Sequence, residues 1–219
     1  MPPALVLLRV HVIFSVLLIL FVAGCRESDR EGNERQPLLA IAVSALPDTM
    51  VARLLLAEAG DWLLAAEYDS AWPPIVRAKQ LYAGSPQVEG QFETALLEGR
   101  FHLDQGRFND AYALVDSALT SALPVLGEYH PLVADAYDIL GNSSRVRGDL
   151  DAVERHFFDA LRIRETLFGA ESPRVAESHH HIGLYHHLKG DLEQAKAHYE
   201  QRLALTTALS VSDLSLIHI

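Results

Sequence analysis

Cysteine is nearly absent: Cys25 is the only one among 219 residues, so no intramolecular disulfide braces the fold. Cationic excess is missing too, since 18 Lys and Arg face 29 Asp and Glu for a formal net charge of −11. A nucleic-acid partner requires a basic patch, so that class is excluded, and adhesion to an anionic lipid surface by charge is disfavoured. There is no Gly-x-Ser-x-Gly elbow and no phosphate-cradling glycine loop, and Ser143 and Ser144 fall inside a helical pattern. No catalytic residue and no cofactor are therefore assigned.

Histidines are plentiful but poorly spaced for a metal. His179, His180, His181, His186 and His187 are separated by one, two, five, six, seven or eight positions, never by four. Adjacent helical residues diverge by ~100° and i, i+7 partners lie ~10 Å apart, whereas two imidazoles reach one ion at i, i+4. Only Glu177 and His181 have that spacing, which leaves a mixed site with His198 or a partner residue as the alternative, and no metal ligand is assigned.

What the chain does have is a repeat. Gly127-Glu128-Tyr129-His130-Pro131 and Gly169-Ala170-Glu171-Ser172-Pro173 stand 42 residues apart, and so do Gly106, Gly148 and Gly190 in turn. A glycine able to take the left-handed conformation ends one helix and lets the next begin, so each period reads as a helical hairpin. On the first helix Tyr137, Leu140, Gly141 and Ser144 share a face, and on the second Val153, Phe157 and Ala160 do. Gly99, Gly141 and Gly183 are read as close-approach positions, with Phe157 and Tyr199 wedged against neighbours. An irregular N-terminal copy is expected from Leu46, with a turn at Ala59-Gly60-Asp61-Trp62. Its extra length is placed at Trp72-Pro73-Pro74, where two prolines end one helix and start another at Ile75, and Pro86 opens the second hairpin.

These motifs resemble the tetratricopeptide repeat, in its 42-residue kinesin-light-chain variety, marked here by the Leu-Phe-Gly-x-Glu-Ser-Pro linker. The resemblance implies an all-α fold, a right-handed superhelical solenoid of antiparallel helix hairpins. Its divisions fall at 46–84, 85–126, 127–168 and 169–209. Glu98, Ser144 and Arg202 depart from the family pattern, as capping repeats often do. First helices of such repeats line a concave surface, and the matching positions are Glu93, Leu96, Arg100, Asp135, Asp138, Asn142, Arg145, Glu177, His180, Leu184 and His187. By the same resemblance His179 and His186 are packing residues. Histidines on the groove would make binding respond to pH between 5 and 8.

Residues 1–24 read as a targeting segment, with an apolar run from Val12 to Val22 that stops at Ala23-Gly24-Cys25. This resembles the bacterial lipoprotein signal, which implies lipidation of Cys25, a polar tether over 25–45 and a place in the cell envelope. Arg26 rather than Asp after the cysteine implies the outer membrane, facing periplasm or exterior. The competing reading is an uncleaved membrane span. Residues 210–219 break the amphipathic pattern and resemble translated adapter sequence, so the natural protein is expected to continue beyond Leu209.

The function implied is a membrane-tethered scaffold that binds a protein or peptide partner in its groove. The alternative is the regulatory repeat region of an exported caspase-like (CHAT) peptidase, whose catalytic domain would follow. A third reading is self-association through the repeats.

Overall fold

The computed structural model describes residues 46–215, with side chains up to residue 207. The expected signal segment, Cys25 and the tether lie outside the described residues, as do the side chains of the tail. Among the described residues eight helices follow one another: α1 (Asp48–Leu64), α2 (Tyr68–Tyr82), α3 (Val88–Asp104), α4 (Phe108–Leu126), α5 (Pro131–Arg147), α6 (Leu150–Phe168), α7 (Pro173–Lys189) and α8 (Leu192–Ser215). They pair as four antiparallel hairpins, each second helix packing on the first helix of the next, while α1, α3 and α5 also touch in sequence. The described residues thus form an all-α solenoid of helical hairpins.

Local chemistry fixes the hairpin ends. Proline occupies the first helical position of α5 and α7, where its missing N–H costs nothing, and His130 and Ser172 side chains accept from Leu132 N and Arg174 N. Gly148 and Gly190 close α5 and α7 in the left-handed region, at φ 75° and 80°. Gly127 and Gly169 turn between hairpins at φ 82° with ψ near-extended, a region only glycine visits readily. The core runs along the stack, from Ala52, Leu56 and Tyr82 through Phe92, Val115 and Leu140 to Phe157, Ile182 and Tyr185.

The first hairpin corrects two expectations. Gly60 is not a turn: α1 runs through it to Leu64, and the left-handed residue is Ala66 at φ 58°. Ala66 precedes Gly106 by 40 residues, so the first period is two short rather than four long. A lone glycine inside a helix is tolerated at about 1 kcal/mol, and nothing at Gly60 supplies the end of the apolar pattern, which continues to the buried Leu63. Pro73 and Pro74 do not divide a helix either, because both lie within α2. The donors they remove would have paired with the carbonyls of Asp69 and Ser70, two exposed residues, and Pro74 packs inward beside the fully buried Ile75. Pro86 stands two residues before α3 instead of opening it, and α8 continues past the 209 boundary to Ser215.

Alanine at a positive φ is strained by about 1 kcal/mol. Ala66→Gly is accordingly expected to raise the melting temperature by roughly 2–4 °C in a thermal melt.

Candidate partner-binding groove

A cavity of about 630 Å³ opens between α1, α3, α5 and α7, with Arg164 of α6 in its lining. Glu93, Leu96, Arg100, Asp135, Asp138, Asn142, Arg145 and Glu177 all border it, so eight of the expected positions are brought together. Three are not. His180 turns toward α8, where its Nδ1 is 3.2 Å from Arg202 Nη1, and Leu184 is half-buried away from the cavity. His187 borders a separate hollow of about 350 Å³ with Leu192, Tyr199 and Leu203. The cause is helical phase: one residue is ~100° of rotation, and on α7 the edge carrying Glu177 and His181 faces back toward α5.

Arg164 and His181 were not expected in the cavity, yet they organise its floor. Arg164 is 4% exposed, and its Nη2 lies 2.7 Å from Asp135 Oδ1 and 2.5 Å from Asp138 Oδ2. Its Nη1 donates to Ser178 Oγ at 2.8 Å, so one guanidinium ties α5, α6 and α7 together. His181 Nδ1 stands 2.9 Å from Asp138 Oδ1, and its ring stacks on Phe157 at 4.9 Å. One sequence signal was available for Arg164: the position one period earlier is the buried Ala122, so a cation stands where the repeat otherwise packs a small residue.

Electrostatics follow this arrangement. Burial works against the charge of Asp138, but hydrogen bonds and charge from His181 and Arg164 prevail and hold its carboxyl below the usual range. Burial likewise opposes the Arg164 charge, and the two aspartates more than offset it. Asp135 moves the other way: desolvation in the groove raises it, Arg164 pulls it down, and Asp138 and Glu177 push it up again. Its side chain is 49% exposed, yet a concave wall replaces much of its hydration shell. Desolvation also raises Glu93, with Arg53 opposing and Glu89 and Asp135 reinforcing.

Two of the three departures from the repeat pattern have partners. Glu98 is buried at 8% exposure and binds Lys79 Nζ at 2.7 Å, a charge matched by the preceding hairpin. Ser144 is buried with its hydroxyl unpartnered. Arg202 is exposed beside His180. His179 packs between helices, its Nδ1 3.1 Å from His198 Nδ1, and the His186 ring stacks on His198 at 5.5 Å. Among the described residues no group of three or more His, Cys, Asp or Glu is placed to hold a metal ion.

Residues 139–208 match the tetratricopeptide-repeat family. That stretch covers the last two hairpins from the middle of α5 into α8. Among solved structures, BtubC (BKLC) from P. vanneervenii is similar with a TM-score of 0.62 at 18% identity, over 72% of this chain and 64% of that one. A likeness at that identity speaks for the fold alone, and this chain spans 64% of that protein's length. No curated protein matches the sequence. Tetratricopeptide repeats generally mediate protein–protein interaction and typically form non-catalytic scaffolds.

The histidines packed between these helices make stability depend on pH. Desolvation lowers His102, His156, His179, His180 and His198, and at His198 the charges of His179 and His186 add to it. A histidine lowered in the fold binds its proton more readily when unfolded, so stability is complete above the unfolded value near 6.5 and falls as pH drops below it. The melting temperature is expected to fall by a few degrees between pH 7.5 and 5.5, and His198→Gln to shrink that fall. The raised carboxyls Glu93, Asp104 and Asp135 act in the opposite sense, at lower pH.

Proposed function

We propose that this chain is a scaffold that holds a protein or peptide partner in the cavity between α1, α3, α5 and α7. The observation that carries the reading is that polar side chains at repeated positions, Glu93, Asp135 and Glu177, converge with Arg100, Asn142 and Arg145 on one concave surface. A surface with that density of hydrogen-bonding groups suits an extended peptide or a partner helix. The test is a photo-crosslinking residue placed at Asn142 in the groove or at Arg155, which is exposed on α6 outside the cavity lining. Adducts with partner protein are expected from Asn142 alone; adducts from both positions equally, or from neither, refute the reading.

The scaffold is further proposed to be tethered in the cell envelope through a lipid on Cys25. Support comes from the apolar run ending in Val22-Ala23-Gly24-Cys25 and the polar stretch after it. No described helix is long and apolar enough to cross a membrane. Metabolic labelling with an alkyne fatty acid should mark the protein and fail on Cys25→Ser. Self-association would show as a mass that rises with concentration. The regulatory region of an exported caspase-like peptidase is the competing assignment, and the coding sequence after Leu209 decides it.

A further inference from the structure

We infer that the groove selects an extended segment whose side chains alternate in charge, cations toward one wall and anions toward the other. The inference rests on the groove reading above and names the class of peptide the groove accepts. One wall carries Glu93, Asp135 and Glu177, a carboxylate from each of α3, α5 and α7 at intervals of 42 residues. The other carries Arg100 and Arg145, with Asn142 beside them. Seven residues separate Glu93 from Arg100 and ten separate Asp135 from Arg145, which at 1.5 Å per residue sets the walls roughly 10–15 Å apart.

The charges on the two walls are only partly matched within the chain. Arg164 carries one positive charge, and the buried Asp138 matches it. Asp135 contributes one oxygen to that guanidinium and is otherwise half exposed, while Glu177 is exposed on α7. Arg53 stands near Glu93 and pulls against its neutral form. Desolvation, with a smaller share from carboxylate repulsion, raises Glu93 and Asp135 against the pull of Arg53 and Arg164, and a bound cation would favour their charged forms. On the opposite wall Arg145 Nε is buried without a hydrogen-bond partner, and Arg100 is exposed at the rim with Asp104 nearby.

Successive side chains of an extended chain point to opposite sides. A segment laid across α3, α5 and α7 therefore offers one set of alternate residues to the acidic wall and the other set to the arginines. A segment of one charge sign satisfies one wall and is repelled by the other, so the groove discriminates by pattern more than by net charge.

The test pans a random octapeptide display library on the full chain and on Glu93→Gln/Glu177→Gln. Both substitutions keep shape on half-buried or exposed helix positions, and matched circular dichroism melts establish that the variant is folded. Enriched peptides should carry Lys or Arg at alternate positions with acids between. A synthetic representative should bind the double variant at least ~10-fold more weakly, the loss of ~1.4 kcal/mol expected of a weakened charge contact. Arg145→Gln should keep the cationic preference and lose the anionic one. Enriched peptides without alternating cations, or the same peptides on both proteins, would overturn the charge pattern while the groove reading stands on its own crosslinking result. Absence of any enrichment also overturns the proposal, whatever the Asn142 crosslinks show.

Discussion

Replacing Arg164 by methionine should destabilise the protein by about 3–5 kcal/mol, because the change strands a buried carboxylate. Methionine preserves most of the volume, so the loss is electrostatic rather than a cavity effect. Asp138 is 8% exposed and would keep only His181 as a partner, while Ser178 would lose its donor and Asp135 its ion pair. In a thermal melt this corresponds to a fall of roughly 10 °C. Asparagine at 138 needs no counter-charge, so Arg164→Met/Asp138→Asn should recover a large part of the loss. If the double variant melts with the single one, the guanidinium acts through packing and the account is wrong. Arg164→Lys restores charge without the planar fork and should fall between. Asp138 has a carboxyl held low in the fold, so its contribution is present above the unfolded value near 3.9 and disappears as pH falls through the folded one. The gap between wild type and Arg164→Met should therefore narrow below about pH 4.

This hub shows where sequence reasoning reached and where it stopped. Positions repeated every 42 residues place themselves, which is why Gly148, Gly190, Pro131 and Pro173 mark helix ends where the pattern says. The groove faces of α3 and α5 were legible for the same reason: those helices have a hairpin on either side, and the periodic pattern describes that environment. On α7 the pattern assigns His180, Leu184 and His187 to the groove, but His181 is the residue that reaches back to Asp138. A repeat alignment cannot see that contact, since it joins unlike residues on different helices. The one mark of Arg164, a cation where the preceding period has Ala122, resists interpretation for a related reason: a second helix is read for its packing stripe, and a cation within the stripe makes sense only once Asp135 and Asp138 are known to face it. The first hairpin failed differently. Gly60 offered the familiar turn residue, while the left-handed position went to Ala66, whose side chain carries no such signal.

The remaining large effect lies at the close-approach glycines, where the same substitution should have unequal consequences in two hairpins. A side chain added at Gly141 would run into the Phe157 ring, and one added at Gly183 would run into Tyr199. Phe157 has nowhere to go: it is fully buried, covered by His181 at 4.9 Å, and clustered with Val153, Ile182 and Tyr185. Gly141→Leu is expected to cost about 3 kcal/mol or more, a case of forced overpacking. Leucine is the better helix former by about 1 kcal/mol, so the measured loss understates the clash. Tyr199 is only half-buried on α8 and borders an open hollow, so its ring can swing outward. Gly183→Leu should then cost about 1 kcal/mol. Urea titrations of the two variants decide the matter. A difference of about 2 kcal/mol with Gly141→Leu the worse means that a neighbour's freedom to move, rather than the glycine itself, sets the cost. Equal losses would instead tie the penalty to the backbone crossing shared by both hairpins.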